Sequence, residues 1–233
     1  MNPYPSILIF DVDGVLVDVR GSFHRTVLET VEFFTGQKVT EAELHAWKNR
    51  SGFNDDWVLS TAWVQSLGGK FEFAEVKQKF VELYWGKNGE GNVSREQWLL
   101  PIPTLKRLAQ KSELAIFTGR THRELDYTLD HAQVREFFTT IITVEDVTHP
   151  KPNPEGLFKI LRGRNPASAL YIGDIIDDAL SAAAANIRFL GVLPPEESKR
   201  EERAASMIES GAVSILNNIR QLEDVLEPPG TLS

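Results

Sequence analysis

The sequence predicts an α/β protein, a Rossmann-like parallel sheet core with an α-helical cap domain inserted after its first strand. Three observations carry this reading. Five short apolar runs, SILIF at 6–10, LAIF at 114–117, TIIT at 140–143, ALYIG at 169–173 and IRFLGVL at 187–193, have the texture of strands covered on both faces. From residue 100 onward these runs alternate with helical stretches, as in a doubly wound sheet. Residues 18–98 contain no comparable run and read as successive amphipathic helices.

Taken in order, the first run stops at Asp11. Between Ser22 and Thr35 the residues Phe23, Val27, Val31 and Phe34 fall on one helical stripe, and Gly36 supplies the stop. A Thr40-to-Glu43 capping box opens a second helix that runs to about Arg50. A third follows Asn54 and ends near Gly68, and a fourth covers Phe73 to Trp85. All five tryptophans, Trp47, Trp57, Trp63, Trp85 and Trp98, fall in this segment and suit a small helical core. The expected division is a core of residues 1–17 and 99–233 and a cap of residues 18–98. In the core, a Thr121-to-Glu124 capping box opens one helix, and Asn153 is expected to cap another whose first residue is Pro154. The terminal EPPGTLS reads as a frayed end.

Composition excludes several classes of function. The chain has 233 residues, 42% of them hydrophobic and 25% charged, enough to bury a sizeable core. A net charge of −8 and a pI near 5.2 argue against nucleic acid or an anionic membrane as partner, since both favour clustered Lys and Arg. No cysteine is present, which removes disulfides, thiolate catalysis and Cys-based zinc sites. The five histidines, His24, His45, His122, His131 and His149, show no metal-binding spacing and read as surface or helix residues. No window approaches the ~18 apolar residues of a membrane span and no leader pattern opens the chain, so the expected location is cytoplasmic.

The chemistry gathers where strands end, which is where ligands bind in open parallel sheets. Asp11 and Asp13 follow the first run. Two carboxylates so close raise each other's proton affinity, so the arrangement is costly unless a cation or a proton is shared. Asp174 follows ALYIG, with Asp177 and Asp178 where a helix should begin. Thr118, Gly119 and Arg120 follow LAIF, and Lys151 lies in the loop after TIIT. Carboxylate oxygens suit a hard divalent cation such as Mg²⁺, and the ammonium, hydroxyl and free amides suit a phosphate.

The ordered set DVDGV (11–15), FTGR (117–120), KPNP (151–154) and GDIIDD (173–178) resembles the four motifs of the haloacid dehalogenase-like hydrolase superfamily. The resemblance covers essentially the whole chain, and the insert of about 80 residues looks like the helical cap of the subfamily of phosphoglycolate phosphatases and β-phosphoglucomutases. It implies Asp11 as the nucleophile that forms an aspartyl-phosphate, and Asp13 as general acid and then base. Asp11, Asp174 and the backbone carbonyl of Asp13 would bind Mg²⁺, with Asp178 in the second acidic position. Thr118 and the amide of Gly119 would bind phosphoryl oxygens, and Lys151 would offset the charge of Asp11 and the phosphate. Arg120 is a candidate for a substrate or cap contact. In the segment KNRSGFNDDW (48–57), similar to a substrate-reading cap loop, the candidates are Lys48, Arg50 and Asn54.

Blander readings stand beside these. A lone Asp at a strand end is as often a turn or cap residue, and the 48–57 segment reads equally as a solvated loop. Asp177 has no assigned role. An acid at position 13 separates phosphatases and phosphomutases from the dehalogenases and phosphonatases of the superfamily. Mutase-like members tend to carry a histidine early in the first cap helix, whereas here Phe23 takes that place beside His24. Gly119 is a second departure, since relatives often have Asn there. The expected activity is Mg²⁺-dependent hydrolysis of a small phosphorylated metabolite. The alternatives are a sugar phosphomutase, and a catalytically inactive phosphometabolite-binding protein, which would be expected to have lost one of these groups. Sugar phosphates, phosphoglycolate and amino-alcohol phosphates such as histidinol phosphate all remain open as substrates.

Overall fold

The computed structural model describes residues 4–48, 50, 53, 55–197 and 199–226. Contacts divide the chain into two compact units, one of Met1–Val17 with Trp98–Ser233, the other of Asp18–Gln97. From the N-terminus run β1 (Ile7–Phe10) and β2 (Val17–Asp18), then α1 (Arg25–Thr35), α2 (Glu41–Lys48), α3 (Asp56–Ser66) and α4 (Phe73–Trp85). After β3 (Gln97–Trp98) come α5 (Ile102–Lys111), β4 (Glu113–Phe117), α6 (His122–Ala132), β5 (Phe138–Ile142) and α7 (Glu155–Leu161). The chain continues through β6 (Ala169–Gly173), α8 (Ile176–Ala184), β7 (Arg188–Val192), α9 (Arg200–Glu209), β8 (Ala212–Leu216) and α10 (Leu222–Leu226).

In the first unit six strands form one sheet in the order β5-β4-β1-β6-β7-β8, all its pairings parallel. β1 lies inside it, and Ile7, Leu8, Ile9 and Phe10 are completely buried, because helices cover both faces and no side chain of this strand has a solvent side. Ile7 and Ile9 join Phe117, Tyr171, Leu157, Ala182 and Phe189 in a core between the sheet and α7, α8 and α9. Side chains of this kind each contribute about 1.5–3 kcal/mol when fully buried.

The five expected strands are present, and β8 is a sixth. AVSIL escapes an apolar-run criterion because it is an edge strand: Val213 is largely exposed and Ser214 half-buried, so no continuous apolar run is required there. At α7 the expectation shifts by one residue. Pro154 occupies the cap position, and Asn153 accepts the amide of Glu155 with its side chain. The Thr121–Glu124 box at α6 is formed reciprocally.

The second unit contains α1 to α4. Gly36 ends α1 with φ +67°, in the left-handed region. Thr40 and Glu43 form the expected cap of α2. Asp55 caps α3 by accepting the amides of Trp57 and Val58, and Asn54 lies outside the described residues. Trp98, expected among the cap tryptophans, belongs to the first unit, where its ring meets Phe138 at 6.4 Å. The EPPGTLS tail lies outside the described residues. Among the described residues no helix is long and apolar enough to cross a membrane.

Candidate active site

Register determines which residues meet. Phe10 at the end of β1 is paired with Ile116 of β4 and Ile172 of β6, so Asp11, Thr118 and Asp174 leave neighbouring strands on the same side. The amide of Asp11 donates to the carbonyl of Ile172 at 2.8 Å and that of Thr118 to Ile142 at 3.0 Å, which carries the sheet order to the edge of the site. Gly14 then permits close approach. It has φ +72°, and a Cβ there would lie 2.2 Å from Oδ2 of Asp174.

Lys151 reaches into this cluster. Its Nζ donates to Oδ1 of Asp11 and to Oδ1 of Asp178, both at 2.7 Å. Oδ1 of Asp178 also accepts the phenol of Tyr171 at 2.6 Å, while Oδ2 accepts the amides of Asp174 at 3.2 Å and Ile175 at 3.3 Å. Asp178 is fully buried, and four donors occupy the lone-pair directions of its carboxylate in this arrangement. It therefore acts as a node joining the lysine loop, β6 and the Asp174 turn.

Electrostatics marks the place of a cation. One oxygen from each of Asp11, Asp174 and Asp178 falls within 4.8 Å of the others. Burial, then repulsion from Asp178 and Asp13, raises the Asp11 carboxyl to about 7 although Lys151 opposes the shift. Asp174 is also pushed well up, first by burial and then by Asp11 and Asp178, with Arg203 in opposition. Burial alone would lower the Lys151 ammonium, but Asp11 and Asp178 outweigh it and hold its proton firmly. One ammonium thus faces three carboxylates, a donor set suited to a hard divalent ion. The carbonyl of Val12 accepts the amides of Val15, Leu16 and Val17, while that of Asp13 accepts none of these.

Asp13 points elsewhere from Asp11. Its Oδ1 accepts Nε of Arg120 at 2.8 Å and Nη2 at 2.6 Å. Arg120, expected at the substrate, is instead turned inward and almost wholly buried. Thr118 is buried and its hydroxyl accepts the Arg120 amide at 3.2 Å, leaving the hydroxyl proton for another acceptor. Gly119 has open space around it, since a side chain there would meet nothing within 4 Å. Asp177 is half-buried in the first turn of α8 and outside the carboxylate cluster.

The remaining candidates belong to the second unit. Lys48 pairs with Asp56 at 3.0 Å, and the Arg50 guanidinium lies 4.2 Å from the centre of the Trp47 ring. Phe23 stacks on Tyr84 at 4.4 Å, and Nδ1 of His24 lies 3.6 Å from Glu41. Two residues of the site were not singled out from the sequence. Tyr171 had a signal, being the lone polar ring in an otherwise apolar strand. Arg203, which donates to the carbonyl of Asp174 at 3.0 Å, had none amid the charged run around it.

A sequence profile of the haloacid dehalogenase-like hydrolase family matches residues 8–192, which span both units and all four motifs. The chain belongs to that family. Among curated relatives of this hydrolase, a Phytophthora nicotianae protein named imidazoleglycerol-phosphate dehydratase is 30% identical over 198 residues, 81% of this chain and 43% of that protein. The hydrolase therefore spans less than half the length of that relative. Phosphoglycolate phosphatase 1 of Pseudomonas aeruginosa is 24% identical over 98% of this chain and 85% of its own. Among solved structures, one described as a predicted phosphoglycolate phosphatase from Haemophilus somnus shares the fold, with a TM-score of 0.78 at 18% identity over 97% of this chain and 100% of that one.

Proposed function

We propose that this hydrolase is a Mg²⁺-dependent phosphatase that cleaves a small phosphorylated metabolite through an aspartyl-phosphate. The observation that carries the reading is the different tethering of two neighbouring acids: Asp11 on Lys151 inside the carboxylate cluster, and Asp13 on Arg120 outside it. Two carboxyl groups in different surroundings suit two roles.

In this reading Asp11 attacks phosphorus and the bond from phosphorus to the ester oxygen breaks. Asp13 gives its proton to the departing oxygen, so the alcohol leaves neutral. The Asp13 carboxylate then takes a proton from water as the water oxygen attacks the aspartyl-phosphate, releasing inorganic phosphate and restoring both acids. Lys151 holds Asp11 in line, and Thr118 with the Gly119 amide receives phosphoryl oxygens. Asp11, Asp174 and the Asp13 carbonyl would hold Mg²⁺, with Asp178 fixing Lys151 and the Asp174 turn beside it. The ion would supply positive charge between the carboxylates and the phosphoryl oxygens.

The helical unit 18–97 is the segment proposed to select the substrate, with Lys48, Arg50 and Asn54 as candidates. Phe23 sits in an aromatic stack and offers no proton-transfer group, which supports hydrolysis over phosphoryl transfer between sugars. The relatives' printed names include phosphoglycolate and imidazoleglycerol phosphate, both small phosphomonoesters, and these head a substrate panel with histidinol phosphate and sugar phosphates. Phosphate release from at least one panel member, abolished by EDTA and restored by Mg²⁺, is the expected result. Release that persists in chelator, or none from any ester at saturating Mg²⁺, overturns the reading.

A further inference from the structure

We infer that Arg120 is a positioning residue for Asp13, holding the carboxylate that exchanges protons with the leaving group and with water, and is not a ligand of the substrate's phosphoryl group. The inference rests on the acid–base assignment of Asp13 proposed above.

The geometry is that of a buried post with an exposed head. The Arg120 side chain is 1% exposed and that of Asp13 is 38% exposed. A guanidinium so enclosed is tolerable only where its charge and its N–H groups are met. Nε and Nη2 both go to Oδ1 of Asp13, at 2.8 and 2.6 Å, and Nη1 donates to Oγ1 of Thr128 at 2.5 Å. Thr128 is itself fixed on α6, its hydroxyl donating to the Glu124 carbonyl at 3.0 Å.

The backbone is pinned as well. The Arg120 amide donates to Oγ1 of Thr118, and its carbonyl accepts the amide of Val144 at 3.1 Å. To reach a phosphoryl group the guanidinium would have to leave Asp13 and Thr128 together. Both bonds to Asp13 fall on Oδ1, so the guanidinium fork anchors that oxygen and leaves Oδ2 as the oxygen that can carry the reacting proton. The aromatic and apolar groups of the core offer no substitute for this fork, and a lysine there would bring one point charge in place of a plane.

A residue acting this way has a signature that phosphate binding lacks. Its loss should matter in proportion to how much the departing oxygen needs a proton. An alkyl alcohol needs one, whereas p-nitrophenolate leaves readily without it. The quantity to compare is kcat/KM, which reports the steps up to loss of the alcohol, for an alkyl ester such as 2-phosphoglycolate and for p-nitrophenyl phosphate. Arg120→Lys is expected to lower the alkyl value by about 30-fold and the aryl value by no more than about threefold, within the range of general-acid effects. The inhibition constant of inorganic phosphate should stay within about twofold, since no phosphate contact is removed. Thr128→Val, which loosens the guanidinium without removing it, should show the same selectivity at about threefold and decides the matter should Arg120→Lys fail to fold. Equal losses on both esters, a weakened inhibition by phosphate, or no loss at all overturns the inference. Asp13→Asn is the reference: if it fails to discriminate the two esters, the assignment of Asp13 falls and the role of Arg120 with it.

Discussion

Lys151 and Asp178 are bonded at 2.7 Å, and the same ammonium lies 2.7 Å from Asp11, so a single buried cation neutralises one carboxylate at the end of β1 and another in the first turn of α8. Removing it leaves two enclosed anions beside a third. Lys151→Met should destabilise the protein by about 3–5 kcal/mol, the usual cost of breaking a buried ion pair from one side. Urea titration in EDTA measures this, and phosphate release should fall at least ~100-fold alongside. A variant as stable as the parent would show that Lys151 compensates neither acid.

Substitution of the two motif acids should separate the steps of the reaction. Asp11→Asn removes the attacking carboxylate and should release no p-nitrophenolate even in the first turnover. Asp13→Asn retains that carboxylate and lacks the group that activates water, so stopped-flow mixing should show a burst approaching one equivalent followed by very slow turnover. A burst from Asp11→Asn would defeat the nucleophile assignment.

Cation binding should depend on pH with a definite sign. Asp11, raised to about 7 chiefly by burial, carries a proton at pH 6 in the metal-free protein, and the ion must displace it. Asp174 is raised as well, so Mg²⁺ affinity measured calorimetrically should rise from pH 6 to pH 8, with protons released to buffer. For folding, a carboxyl raised above its unfolded value of 3.8 binds protons more tightly in the native state, so its contribution to stability is lost as pH climbs from about 4 through about 7. Mg²⁺ should therefore raise Tm more at pH 8 than at pH 6. A pH-independent increment would place the ion elsewhere.

Two glycines of the site should respond oppositely to an added methyl group. At Gly14 the new carbon would lie 2.2 Å from Asp174 at a φ of +72°, so Gly14→Ala should lose about 1–2 kcal/mol and weaken Mg²⁺ binding by moving Asp174. At Gly119 nothing lies within 4 Å, and Gly119→Ala should stay within about 0.5 kcal/mol of the parent. Thermal melts with and without Mg²⁺ distinguish the two, and a tolerant Gly14 would refute the close approach.

Strand ends were readable because a parallel strand buried on both faces must be apolar, so the acids at 11 and 174 stand out as interruptions directly after β1 and β6. The edge strand β8 obeys a weaker constraint and gave no such contrast. Side-chain direction was the least accessible property. Nothing in FTGR states that Arg120 turns inward to Asp13 while Gly119 keeps open space around it. GDIIDD does not state that Asp178 accepts four hydrogen bonds either. Both depend on partners outside the motif and distant in the chain, Asp13 for Arg120 and Lys151 for Asp178. Trp98 shows the same limit, since its place beside Phe138 is set by tertiary contact and not by the residues next to it.

The interior position of β1 also governs how the protein emerges from the ribosome. Ile7 pairs with Glu113 on one side and Ala169 on the other, so β1, translated before either neighbour, waits for both of them. At about 5–20 residues per second that wait lasts on the order of ten seconds, while residues 18–97 can already collapse into their own unit. Until β4 has followed it the nascent ILIF segment is an unpaired apolar strand, a natural client for a holdase chaperone. Mutations in it should therefore reduce the yield of protein in the cell more than they lower the melting temperature of the molecules that survive.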